Sequence, residues 1–150
     1  MPDQTDQEDL WGELPNLESI RLPLVILREQ AAKLANRTNR VVQGEVVVES
    51  TSSFAERAYT RRGDSEPFNI DSSARMDLVV PALNDYRYTL LRMLFLAADP
   101  YPVILIRSKG TPESVVCHDE SEFRSALKEI LTAPETMTVV AALLKQAQHK

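Results

Sequence analysis

A chain of 150 residues with 43% hydrophobic side chains suffices for one ordinary domain, and offsetting the entropy of chain ordering commits most of its Leu, Val and Ile inward. Its formal charge of −5 is unevenly placed: Asp3, Asp6, Glu8, Asp9, Glu13 and Glu18 precede the first base, Arg21, and from Arg21 onward there are 17 bases against 16 acids. A nearly neutral body without a long basic run argues against generic nucleic-acid binding.

A lone Cys117 rules out an internal disulfide and any CxxC element, which suits a reducing compartment. The N-terminus is acidic and polar rather than basic and then apolar, unlike a secretory signal. The longest unbroken apolar runs, 93–98 and 139–144, fall far short of the roughly 20 residues that span a bilayer. These features lead to the expectation of a soluble, cytoplasmic protein with no membrane contact.

Residues 1–20 read as an acidic, flexible tail and 21–150 as a single α+β domain. Inside the tail, "EDLWGELPNLESI" alternates Leu10, Trp11, Leu14 and Leu17 with acids, as peptides that dock into grooves do. These four are the candidate partner-binding residues, against the alternative that Trp11 folds back onto its own domain. From Leu22 to Thr38, Leu24, Leu27, Ala31, Leu34 and Ala35 recur at three- and four-residue steps, with Pro23 suited to a first turn, so a helix is expected. Glu29 and Lys33 are spaced to pair along it, and "RTNR" should end it.

"VVQGEVVVES" places Val42, Gly44, Val46 and Val48 on one side and Gln43, Glu45 and Glu49 on the other, the period of a half-buried strand. "FAERAYTRRGDSEP" continues that strand and turns at Gly63 and Asp64. In "FNIDSSARMDLVV" the even positions Phe68, Ile70, Ala74, Met76, Leu78 and Val80 face one way; Asn69, Asp71, Ser73, Arg75 and Asp77 face the other.

"YTLLRMLFLAADPYPVILIRS", residues 88–108, is the most apolar stretch, and either an active-site wall, a membrane contact or the fold's interior could require it. A helix from Asp85 would gather Thr89, Arg92 and Asp99 on one face and Leu90, Leu91 and Leu94 on the other. Turn-like "PALND" and "DPYP", alternating Tyr86 and Tyr88 and the β-branched run "PVILI" favour strands and an interior role. "SVVCH" reads as a last strand. Asp119 with Glu122 forms a capping-box pattern before a helix with Phe123, Ala126, Leu127, Ile130 and Leu131 on its apolar face. Thr132 with Glu135 repeats the cap, with Pro134 in the first turn of a last helix.

The expected architecture is therefore an N-terminal helix, a four- to five-stranded, mostly antiparallel meander sheet, and two C-terminal helices packed on one face.

Chemistry is sparse. Gly12, Gly44, Gly63 and Gly110 are each isolated, so GxGxxG, GxxxxGK and GxSxG loops cannot be written, and no cofactor is expected. Cys117 and His118 are adjacent, but neighbours on a strand point to opposite faces, which disfavours a nucleophile–base pair. No HxxxH, HExxH or cysteine pair supplies fixed metal ligands; His118, Asp119, Glu120 and Glu122 could attract a cation, yet capping accounts for the acids. Arg57, Tyr59, Arg61 and Arg62 are the candidate anion-binding cluster, with a solvated hairpin tip as the bland alternative.

The leading expectation is a non-enzymatic protein-binding module, analogous to immunity, antitoxin, adaptor or chaperone proteins, with another protein as partner. A small enzyme or anion-binding protein is the first alternative. It predicts a deep pocket where several of Arg57, Arg61, Arg62, Cys117 and His118 converge. The second is a homo-oligomeric structural subunit, a homodimer joined through a sheet edge or the terminal helix.

Overall fold

Alternating side chains dictate a two-faced sheet, and the computed structural model, which describes residues 9–17, 21–50, 70–108 and 114–149, contains one. Helix α1 (Pro23–Arg37) leads into strands β1 (Gln43–Ser50), β2 (Ser72–Val80), β3 (Tyr86–Leu96), β4 (Asp99–Arg107) and β5 (Ser114–Cys117), followed by helices α2 (Glu120–Leu131) and α3 (Pro134–Gln148). The strands lie in the order β1-β2-β3-β4-β5, each antiparallel to the next. The α+β meander expected from the sequence is the fold, and its question about residues 88–108 resolves to β3 and β4, the interior of the sheet. The continuation of β1 through 54–62 and the turn at 63–64 lie outside the described residues.

One face of the sheet carries all three helices. Ala74, Met76, Leu78 and Val80 of β2, Leu91 and Met93 of β3 and Val103 and Leu105 of β4 form a continuous core with Ile26 and Leu27 of α1, Phe123 and Leu127 of α2 and Leu143 of α3. Helix α1 lies over β1, and α2 over β4 and β5. Pro23 starts α1 where its missing N–H costs nothing. At the other end the Thr38 hydroxyl donates to the Val42 carbonyl (2.8 Å) and accepts from the Val42 N–H (3.2 Å), while Asn39 and Arg40, at φ 53° and 66°, reverse the chain into β1. Gly44 permits a close approach of α1 to the sheet, because a Cβ there would lie 2.7 Å from Ala31 Cα.

Several local expectations are corrected. Glu29 pairs with Arg21 (3.0 Å) rather than with Lys33. β2 starts at Ser72, so Ile70 is not part of the inward row; it packs on the opposite face with Leu94, Ile104 and Ile106. The reversal between β3 and β4 falls at Ala97 and Ala98, and the "DPYP" residues already belong to β4. Thr132 does not cap α3: its hydroxyl donates back to the Lys128 carbonyl (2.7 Å), closing α2, and Ala133 precedes α3 with no side-chain cap.

β3 departs from strict alternation for a definable reason. Met76 pairs with Leu91 and Asp77 with Thr89, so Leu90 is an inserted residue, a β-bulge. Leu90 and Leu91 are consequently both buried, and two consecutive core residues are what gave this segment its helix-like period.

The outward face of β1–β3 is polar but not simply solvated. Asp77, only 2% exposed, accepts from Thr89 Oγ1 (2.8 Å), Arg75 Nε (3.0 Å) and Arg87 Nη1 (3.4 Å). Arg75 also pairs with Glu49, and Arg87 with Glu45 (2.8 Å). The hydrogen bond to Asp77 is the largest contribution raising the pKa of the Arg75 guanidinium. Cross-strand neighbours thus satisfy a carboxylate that alternation alone would leave in water.

Candidate functional site: a basic-rimmed apolar cleft

α1 packs chiefly on β1 and α2 on β4 and β5, which leaves the two helices apart above β2 and β3. A cleft of about 600 Å³ opens there. Its floor is Met76 and Leu78 of β2 with Leu90 of β3; its walls include Ile26 and Leu34 of α1, Leu127 and Leu131 of α2, and Met137, Val140 and Leu144 of α3. The bulge in β3 places Leu90 there, since an unbulged strand would have kept core residues on alternate positions only. Apart from Leu90, no residue of the apolar stretch 88–108 lines this cleft.

The rim has one sign of charge. Lys33 and Arg37 of α1 face Arg124 and Lys128 of α2, and no carboxylate is among the lining residues. Each pair is spaced four apart, so both members project from the same side of their helix. Arg124 is held by Glu120 (2.8 Å), whereas Lys33, Arg37 and Lys128 form no ion pair among the described residues. All four are exposed. An apolar floor with cations on both banks suits an apolar ligand carrying negative charge, and the volume falls within the roughly 300–1,000 Å³ of ordinary ligand sites.

The N-terminal candidates stand in solvent. Leu10, Trp11, Leu14 and Leu17 are 87%, 82%, 70% and 78% exposed, so in this structure Trp11 does not fold back onto its own domain. The segment turns at residues 10–11, where the Trp11 N–H donates to Asp9 (3.0 Å), and Gly12 takes φ 68°, a left-handed conformation that favours glycine. Arg57, Tyr59, Arg61 and Arg62 lie outside the described residues.

Cys117 and His118 diverge. The Cys117 side chain is fully buried in the core, and burial, with a lesser push from the Glu122 and Asp119 charges, raises its thiol to about 11. His118 is exposed, and its Nδ1 lies 2.9 Å from Glu122 Oε1. Asp119 accepts from the Glu122 N–H (2.8 Å) as a helix N-cap, and Glu122 reaches back to the His118 N–H (2.8 Å), one residue before the position usual in a capping box. That backbone bond lowers the pKa of the Glu122 carboxyl, and the His118 ring lowers it further. Neither Cys117 nor His118 lines the cleft. Among the described residues no three His, Cys, Asp or Glu side chains gather as a metal site, and no helix is long and apolar enough to cross a membrane.

Sequence reasoning missed the cleft because its banks come from helices some 90 residues apart. A signal existed: Lys33 with Arg37, and Arg124 with Lys128, are like-charged pairs four apart, an arrangement mildly unfavourable in a helix unless something else uses it. Comparison of the chain with protein-family models, curated proteins and solved structures finds no match.

Proposed function

We propose that this chain is a non-enzymatic protein-binding module that recognises an acidic, apolar segment of a protein partner. The observation that carries this reading is the cleft: an apolar floor, cations on both banks and no carboxylate in its lining. Two further features support it. The core beneath the cleft is filled by buried aliphatic side chains, and the sole low-polarity thiol, Cys117, is held protonated and out of reach of the cleft. The exposed Leu10, Trp11, Leu14 and Leu17 add an apolar surface that a folded domain would ordinarily cover. An analogy to immunity, antitoxin, adaptor or chaperone proteins rests on this binding role alone.

Affinity purification of the tagged chain tests the reading. A protein recovered in stoichiometric amount should be lost when Lys33→Glu is combined with Lys128→Glu, two exposed substitutions that leave the core untouched. Recovery of the tagged chain alone under gentle conditions, or recovery indifferent to the charge reversal, contradicts it.

A further inference from the structure

The cleft and the N-terminal segment are complementary in two respects. The segment is acidic where the cleft is basic: Asp9 and Glu13 lie within it, Glu8 and Glu18 flank it, and no base occurs before Arg21, while Lys33, Arg37, Arg124 and Lys128 rim the cleft. The segment exposes four large apolar side chains where the cleft exposes an apolar floor. Length is no obstacle: nine residues reach at most about 30 Å, more than the about 17 Å of the α1 bank from Ile26 to Arg37.

Within one chain this complementarity is unused, since Leu10, Trp11, Leu14 and Leu17 all remain in solvent. We propose that the cleft receives residues 9–17 of a second copy of the chain, and that the exchange is reciprocal. Because the same two copies fill each other's clefts, the contact closes as a symmetric dimer, where one-way docking of segment into cleft would propagate. Leu10, Leu14 and Leu17 supply exposed apolar side chains to seat against the cleft floor. Asp9 and Glu13 then meet Lys33, Arg37 and Lys128, which form no ion pair among the described residues. The inference rests on the reading of the cleft as a peptide-binding surface and adds the occupant.

Trp11 is the only tryptophan, so tryptophan emission, excited selectively over that of the tyrosines, reports on this segment alone. With the full-length chain, emission should move to the blue as concentration rises, in step with the dimer fraction from sedimentation equilibrium. The Lys33→Glu, Lys128→Glu double variant, checked for folding by circular dichroism, should stay monomeric and red-emitting, with dimerisation weakened at least tenfold. Adding a Trp11→Ala chain, dark but with its cleft intact, should then shift the variant's emission to the blue. Red emission at every concentration overturns the inference, as does blue emission from a monomer, which would mean docking within one chain. A dimer that survives the charge reversal overturns it too. The binding reading is separable: it stands if a different protein is recovered in a cleft-dependent way while Trp11 stays in water.

Discussion

Replacing Gly44 with alanine sets two effects of opposite sign against each other. Gly44 lies in β1 without a positive φ, so alanine fits its backbone, and the reduced entropy of the unfolded chain alone would stabilise the protein by about 0.4–1 kcal/mol. The added Cβ, however, would sit 2.7 Å from both Cα and Cβ of Ala31 and 2.9 Å from its carbonyl oxygen. Two of those three atoms are helix backbone, which no rotamer change can move, so α1 must lift from the sheet. Overpacking costs about 1–3 kcal/mol, and contact with fixed backbone atoms puts this case in the upper part, about 2–3, for a net loss of about 1–2.6 kcal/mol. For a chain of this size that lowers the melting temperature by about 2–10 °C. Denaturant unfolding of Gly44→Ala, Ala31→Gly and the double variant measures the loss and its origin. Ala31→Gly removes only the Cβ contact, so it should relieve only part of the penalty. A Gly44→Ala protein as stable as the parent would refute the close approach, and full rescue would refute the part assigned to the helix backbone.

Asp77→Ala removes the acceptor shared by Arg75, Arg87 and Thr89; with both arginines partly solvated, the expected loss is about 2 kcal/mol by denaturant titration, and a loss below about 0.5 kcal/mol would contradict the network. Asp119→Ala should cost about 1 kcal/mol through the lost N-cap of α2, read as a lower unfolding midpoint. Glu122 has a folded-state pKa below its unfolded value, so its contribution is present above the ordinary glutamate range and is lost as pH falls through the lowered value. The stability gap between the parent and Glu122→Gln should accordingly close on acidification, and a gap that widens would reverse the assignment. Cys117, buried with its thiol at about 11, should react with alkylating reagents at neutral pH only as fast as the core opens, so native-state labelling at the rate of a free thiol would contradict its burial.

The helices and strands were legible where one period held without interruption. α1 and α2 follow their apolar faces, and β2 its alternation from Ser72 onward. Legibility failed where a single inserted residue or a long-range partner decided the outcome. The Leu90 bulge confused strand with helix, and the same bulge floors the cleft. Burial of Asp77 depends on Arg87 and Thr89 from the next strand, which alternation within β2 does not encode. Thr132 resembled a cap in sequence, but Pro134 could start α3 without one, leaving its hydroxyl free to close α2. The candidate site divided in the same way. The N-terminal apolar residues were visible as a local pattern, whereas the cleft exists only once α1 and α2 pack side by side on one face of the sheet.

Nuclear magnetic resonance mapping on the full-length chain is the most direct test of where recognition resides. A peptide spanning residues 8–18 is titrated into isotopically labelled protein carrying Leu10→Ser, Trp11→Ser, Leu14→Ser and Leu17→Ser, which leaves the cleft free of the chain's own segment, and backbone amide shifts are followed. The account predicts saturable shifts around Gln30, Lys33 and Arg37 on one bank and Arg124, Lys128 and Met137 on the other, suppressed by Lys33→Glu with Lys128→Glu. Shifts centred on Leu94, Ile104 and Ile106 of the opposite sheet face, or none at all, would contradict it.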